Sequence, residues 1–200
     1  MTEIPIILLA AGQSSRMGGA DKLMQPIDGV PLLRRAALRA LAVGPVIAAL
    51  PPALHPRYEA LVGLDLVSVP IPDADEGMNA SLRGAMSAIA ADASAVMVLL
   101  SDLPELTSED LRDVLRSMTE HSDNLVWRGA TEDGKPGHPV VFDQSLFDEL
   151  SQLTGDRGAQ SVVQQCKGRV HLHPLPAQHA LLDLDTPEDW AKWNAIRSPK

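Results

Sequence analysis

The run Leu9-Ala10-Ala11-Gly12-Gln13-Ser14-Ser15-Arg16-Met17-Gly18-Gly19-Ala20-Asp21-Lys22 carries two isolated cations in a stretch of small residues. Glycine and alanine let backbone N–H groups come close to phosphate oxygens. Ser14 and Ser15 add hydroxyl donors, Arg16 a planar fork and Lys22 a compact charge. Such a loop suits a polyphosphate. Spacing excludes two familiar phosphate loops. A Walker loop has four residues between its glycines and Lys-Ser/Thr directly after, whereas Gly12 and Gly18 enclose five and Lys22 comes later. A G-x-G-x-x-G fingerprint is absent, so hydride chemistry on NAD lacks its main support.

Carboxylates recur downstream. The apolar run Ala95 to Leu100 ends in Ser101-Asp102-Leu103-Pro104, which makes Asp102 the first metal candidate. Mg²⁺ prefers oxygen ligands and is commonly held by one or two carboxylates together with substrate phosphates. An aspartate after a strand also serves as a turn former or helix cap. Near the C-terminus, Leu182-Asp183-Leu184-Asp185-Thr186-Pro187 places Asp183 and Asp185 on one face of an expected strand by its period of two. Asp185 is favoured as the second metal ligand and Asp183 kept in reserve. The competing role for Asp185 is to cap the last helix, which Thr186 can share.

These groups need a scaffold that gathers them, and short β-rich runs alternating with helical periodicity supply one. Strands are expected at Ile4–Leu9, Val46–Leu50, Leu66–Val69 and Ala95–Leu100. Helices are expected at Pro31–Ala42, His55–Val62, Met78–Ala90 and Thr107–Thr119, the last opened by a capping-box-like Thr107 and Asp110. Continuous apolar runs imply strands buried on both faces, hence a mostly parallel sheet with helices on each side. Strands at Leu125–Trp127 and Pro139–Phe142 flank the turn-rich Glu132 to Gly137, giving a hairpin-like insertion over residues 125–142. Short helices at Ser145–Ser151 and Ala159–Gln165, strands at Val170–His173 and Leu181–Leu184, and a helix starting at Thr186-Pro187 complete one expected domain over residues 1–200. Trp190 and Trp193, three apart on that helix, read as core packing.

Composition narrows the function. With 17 Lys+Arg against 26 Asp+Glu the formal charge is −9, against a nucleic-acid binder, which needs basic patches. The longest apolar runs fall far short of the about 20 residues a membrane helix needs. A single cysteine, Cys166, and an N-terminus without a signal-peptide pattern give a cytoplasmic expectation. His55, His121, His171, His173 and His179 form no ligand spacing with Cys166 and are read as non-functional.

The pattern Leu8-Leu9-Ala10-Ala11-Gly12-x-Ser14-x-Arg16-Met17-Gly18-x-x-x-Lys22 closely resembles the signature loop of the MobA-like nucleotidyltransferases, which have a Rossmann-like, GT-A-type α/β fold. The resemblance spans about Ile4 to Asn194. It implies that Leu9 to Ser15 wrap a nucleoside triphosphate while Arg16 and Lys22 neutralise charge as pyrophosphate leaves. Asp102 and Asp185 would hold Mg²⁺. The Gly77-Met78-x-x-Ser81-Leu82 pattern and Ala11 look like the molybdopterin cytidylyltransferase branch, with Gly77, Met78 and Ser81 near the base. Gly137-His138-Pro139 and Gly155-Asp156-x-Gly158 agree with that branch, placing Gly137, His138, Gly155 and Asp156 on the acceptor side. His138 is not needed as a general base, because a phosphate monoester is already nucleophilic at neutral pH. Two departures from the family pattern are few basic residues on the acceptor side and Gln160, where relatives often carry a basic residue.

The expected function is therefore transfer of CMP from CTP to the phosphate of molybdopterin, with a molybdoenzyme or its chaperone as the implied downstream partner. Alternatives are GTP or another phosphate acceptor on the same fold, and a non-catalytic nucleotide- or cofactor-binding module.

Overall fold

The computed structural model describes residues 3–155 and 158–197. The chain runs β1 (Ile6–Leu9), β2 (Pro26–Ile27), β3 (Val30–Pro31), α1 (Leu32–Leu41), β4 (Val46–Leu50), α2 (Arg57–Leu61), β5 (Val67–Pro70), α3 (Met78–Met86), β6 (Ala95–Leu100), α4 (Ser108–Glu120), β7 (Val126–Ala130), β8 (Pro136–Asp143), α5 (Phe147–Ser151), α6 (Gln160–Gln165), β9 (Val170–Pro174) and α7 (Pro187–Arg197). Among the described residues seven strands form the central sheet in the order β5-β4-β1-β6-β8-β7-β9. β5, β4, β1 and β6 are parallel. β8 runs antiparallel to both neighbours, and β9 is parallel to β7.

Both faces of the sheet are covered, as the continuous apolar runs require. Ile6, Leu8, Met97 and Leu99 face one way and pack with α1, α4 and α7. Ile7, Leu9, Val96 and Val98 face the other way and pack with α3, α5 and α6. Trp190 and Trp193 are buried edge-to-face with centroids 6.1 Å apart, so the terminal helix is pinned by its aromatic pair. The Thr107–Asp110 capping box forms as expected. No described helix is long and apolar enough to cross a membrane.

Several boundaries differ from expectation. The helix expected to reach Ala90 closes at Met86, with Ser87 bonding back to Gly84. The strands expected over residues 125–142 form β7 and β8, and both lie within the central sheet. No ladder forms at Leu181–Leu184. That segment is held instead by single bonds, Leu184 N–H to the Asp102 carbonyl at 3.3 Å and Leu182 N–H to Gln178 at 2.8 Å, while Leu184 sits in the core. Its apolar alternation reflects one buried side, not a pleated strand. A small hairpin between β2 and β3 was carried by Asp28-Gly29, which take φ 52° and 79° as a tight two-residue turn demands.

Topology decides where ligands meet the fold. From β1 the chain winds one way through β4 and β5, then returns to place β6 on the other side of β1. The carboxyl ends of β1 and β6 therefore flank a switch point, the crevice where open α/β sheets bind ligands.

Candidate active site

At the end of β1 the loop is held from below by a side chain the sequence did not single out. Arg57 on α2 is only 1% exposed. Its guanidinium grips Asp21 through two bonds, Nε–Oδ2 at 2.8 Å and Nη2–Oδ1 at 2.7 Å. It also donates to the Ala10 carbonyl at 2.6 Å and to Ser14 Oγ at 3.1 Å. Ser14 adopts left-handed backbone (φ 52°), and its hydroxyl also accepts from Lys22 N–H and donates to Asp21. The Ser14 hydroxyl thus belongs to the internal frame of the loop. Burial opposes the charge on Asp21, but the Arg57 bonds and charge outweigh it and hold the carboxyl below its ordinary value. Asp21 also caps the short turn at Lys22–Met24 by accepting from Leu23 N–H, which fixes the root of the Lys22 side chain.

From that root Lys22 spans the rim. Its Nζ lies 2.5 Å from Asp102 Oδ2 and 2.5 Å from Asp185 Oδ1, while Arg16 reaches Asp185 Oδ2 at 2.5 Å. Burial alone would lower the Lys22 pKa, yet the Asp102 charge and the bonds to both carboxylates raise it. Asp185 is likewise held low by Lys22 and Arg16 against the effect of burial. Asp183, the most open of the three acids, is raised by partial desolvation against its neighbours and by the charges of Asp185 and Asp102.

The acids converge because short bonds tie their elements together. Ser101 Oγ donates to the Leu9 carbonyl at 2.7 Å, locking the ends of β6 and β1, and Leu184 N–H docks the C-terminal segment on Asp102. Thr186 and Asp189 cap α7 reciprocally, with Asp189 N–H to Thr186 Oγ1 at 3.2 Å and Thr186 N–H to Asp189 Oδ2 at 3.0 Å. Asp185 is released from capping and turns to Lys22.

Asp102, Asp183 and Asp185 each offer an oxygen within 4.8 Å of the others, and Asp102 Oδ1 is buried without a hydrogen-bond partner. An unmet carboxylate oxygen among three oxygen donors fits a hard divalent cation, and the Lys22 ammonium meets two of the three carboxylates here. The acidic cluster can hold a metal ion.

A cleft of about 410 Å³ opens above this cluster. It is lined by Leu9, Ala10, Ala11, Gly12, Arg16, Lys22, Gly77, Met78, Ser81, Asp102, Asp183 and Asp185, so nearly all residues expected at the nucleotide and metal meet in one place. Ser14 and Ser15 line an adjoining depression shared with Arg16, Lys22 and Asp185. The helix α3 opens into the cleft with no side-chain cap on its first N–H groups.

A second cavity of about 330 Å³ adjoins the cleft through Leu9 and Met78, which line both. Because β8 is antiparallel, its start brings His138 to the same rim. Burial and the nearby Arg128 charge hold His138 at about 4, so it is neutral near pH 7. Gly137 packs so tightly that a Cβ there would stand 2.8 Å from Ala180 Cβ and nearer its carbonyl. Gly137 and Gly155 do not line this cavity, whereas Gly158, Ala159 and Gln160 do. Asp156 lies outside the described residues. Arg128, absent from the sequence-based candidates, also lines this cavity as its one cation among the described residues.

Comparison with known proteins identifies the family. The MobA-like NTP transferase domain matches residues 6–171. A Trichormus variabilis protein named probable molybdenum cofactor guanylyltransferase is 28% identical, over 96% of this chain and 90% of its own length. The molybdenum cofactor guanylyltransferase of Vibrio atlanticus is 24% identical, over 98% of both chains. The crystal structure of Rv0371c in complex with manganese, from Mycobacterium tuberculosis, superposes with a TM-score of 0.79 at 25% identity, covering 96% of this chain and 97% of that one. On the matched span and the shared fold, the chain belongs to the MobA-like NTP transferase family of nucleotidyltransferases.

Proposed function

We propose that the chain transfers a nucleoside monophosphate from a nucleoside triphosphate to the terminal phosphate of a molybdopterin-type acceptor. An acceptor phosphate oxygen forms a new bond to the α-phosphorus as the bond to the β-phosphate oxygen breaks, and pyrophosphate leaves. Backbone N–H groups from Gly12 to Ser15 and the Arg16 and Lys22 cations receive the triphosphate. Catalysis is then positioning and charge neutralisation. Asp102 and Asp185, with Asp183 beside them, would hold a divalent cation such as Mg²⁺, which neutralises phosphate charge when bound. Lys22 moves from the carboxylates to the phosphates as the nucleotide enters. Gly77, Met78 and Ser81 flank the base, and the cavity beside His138 takes the acceptor.

The observation that carries this reading is the convergence of Lys22 with Asp102 and Asp185 across the sheet rim at 2.5 Å. The family and the relatives' names support the chemistry and the acceptor class. CTP is the nucleotide favoured by Ala11 and the Gly77-Met78-x-x-Ser81-Leu82 segment. The relatives named for guanylyl transfer favour GTP as the second reading. Pyrophosphate release with molybdopterin and each of the four triphosphates tests both. Release above background with CTP supports the first reading and release with GTP the second, while no release with any of them overturns the proposal.

A further inference from the structure

The second cavity has a distinct chemistry. Leu82, Val98, Val140 and Phe142 give it an apolar floor, and Arg128 is the sole cation among its described lining residues. Arg128 makes no ion pair among the described residues. Its Nε donates to the Gly137 carbonyl at 2.6 Å and one Nη to the Pro136 carbonyl at 3.4 Å, leaving further donors of the fork unused. His138 contributes a neutral ring whose Nδ1 has no partner, and Gln160 an amide.

Register fixes how far this group stands from the chemistry. Val98 on β6 and Arg128 on β7 both pair with Val140 on β8. At about 4.8 Å per strand spacing, Arg128 is rooted about 10 Å to the side of β6, whose end carries Asp102. A ligand that reaches both has its reacting phosphate at one end and meets Arg128 with the other.

We propose that Arg128, with His138 and Gln160, forms a distal subsite that reads the far end of the acceptor, the oxo-bearing edge of a flat heterocycle. The inference rests on the acceptor reading above. The apolar floor covers the ring faces, and the guanidinium fork matches a planar, acceptor-rich edge in a way a lysine ammonium does not. A neutral His138 adds a hydrogen bond without adding charge. Arg128 is a specificity residue and touches no reacting atom.

The test compares wild type, Arg128→Gln, Arg128→Lys and Gln160→Ala in nucleotidyl transfer to molybdopterin, with thermal shifts by the nucleotide alone measured in parallel. Arg128→Gln should raise KM for molybdopterin by about tenfold or more with kcat changed far less, because uniform binding is lost and not transition-state contact. Arg128→Lys should fall between, and the nucleotide-induced thermal shift should be unchanged in the three variants. An unaltered KM in a normally melting Arg128→Gln, or an equal loss in Arg128→Gln and its nucleotide shift, overturns the subsite. Should Arg128→Gln not fold, Arg128→Lys and Gln160→Ala with unaltered KM overturn it equally. Wild type that binds nucleotide but never transfers to molybdopterin refutes the acceptor reading and this subsite with it. Transfer that is indifferent to Arg128 sinks the subsite alone.

Discussion

Lys22 Nζ and Asp102 Oδ2 lie 2.5 Å apart although 80 positions separate them in the chain. One root is fixed by the Arg57-bound loop and the other by β6, so the pair reports the junction of two independently built elements.

Removing either member should abolish turnover without unfolding the protein. Lys22→Ala and Asp102→Asn are each expected to lower kcat by at least about 100-fold, as the loss of other preorganised charge stabilisers does. Pyrophosphate release under saturating substrates measures this, and near wild-type rates in both variants would refute the assigned roles.

The Arg57 clamp makes a different prediction. Arg57→Ala leaves Asp21 without its partner in a mostly buried setting, at a cost of about 3 kcal/mol. The released loop should also weaken nucleotide binding. Urea denaturation gives the first number and nucleotide titration the second. Stability that drops while affinity holds would confine Arg57 to a purely structural role.

Stability should depend on acid through His138. In the unfolded chain its imidazole titrates near 6.5, while the folded protein holds it at about 4. Between those values the unfolded state binds the extra proton, so stability present above pH 6.5 declines as pH falls toward 4. The full loss is about 3 kcal/mol. Urea midpoints at pH 7 and 4.5 should differ less in His138→Asn than in wild type, and identical differences would exclude His138 as the source.

The three acids should not be equivalent toward a divalent cation. Asp185→Asn is expected to raise the Mg²⁺ concentration for half-maximal activity more than Asp183→Asn, since Asp183 is the exposed member. Activity titrated with Mg²⁺ in each variant gives the order, and a larger effect at Asp183 would reverse the assignment.

How the sequence disclosed these features follows from what periodicity encodes. Runs such as Val96 to Leu99, apolar at every position, announce burial on both faces, and the loop after β1 and Asp102 after β6 then fall at one rim by topology alone. Asp183 and Asp185 were legible as a spaced pair, but their strand was not real, because an alternation of leucine and aspartate records only that one side is buried. Arg57 and Arg128 left no trace. A single arginine in a short helix or strand looks the same whether its head group turns to solvent or inward, and only the packing of Asp21, Ala10 and Ser14 around one, and of an apolar cavity beside the other, reveals the difference. Asp28-Gly29 was a signal in plain view whose strands, two residues each, were too short for any period to mark.

The indole pair of α7 gives the last helix a consequence beyond packing. With Trp190 and Trp193 sunk into the core and the Thr186–Asp189 cap at its head, the helix works as a mooring whose first free link is Asp185. Slackening at that far end would drift the acid off station while the sheet stayed whole, so loss of turnover on warming should precede loss of the fold.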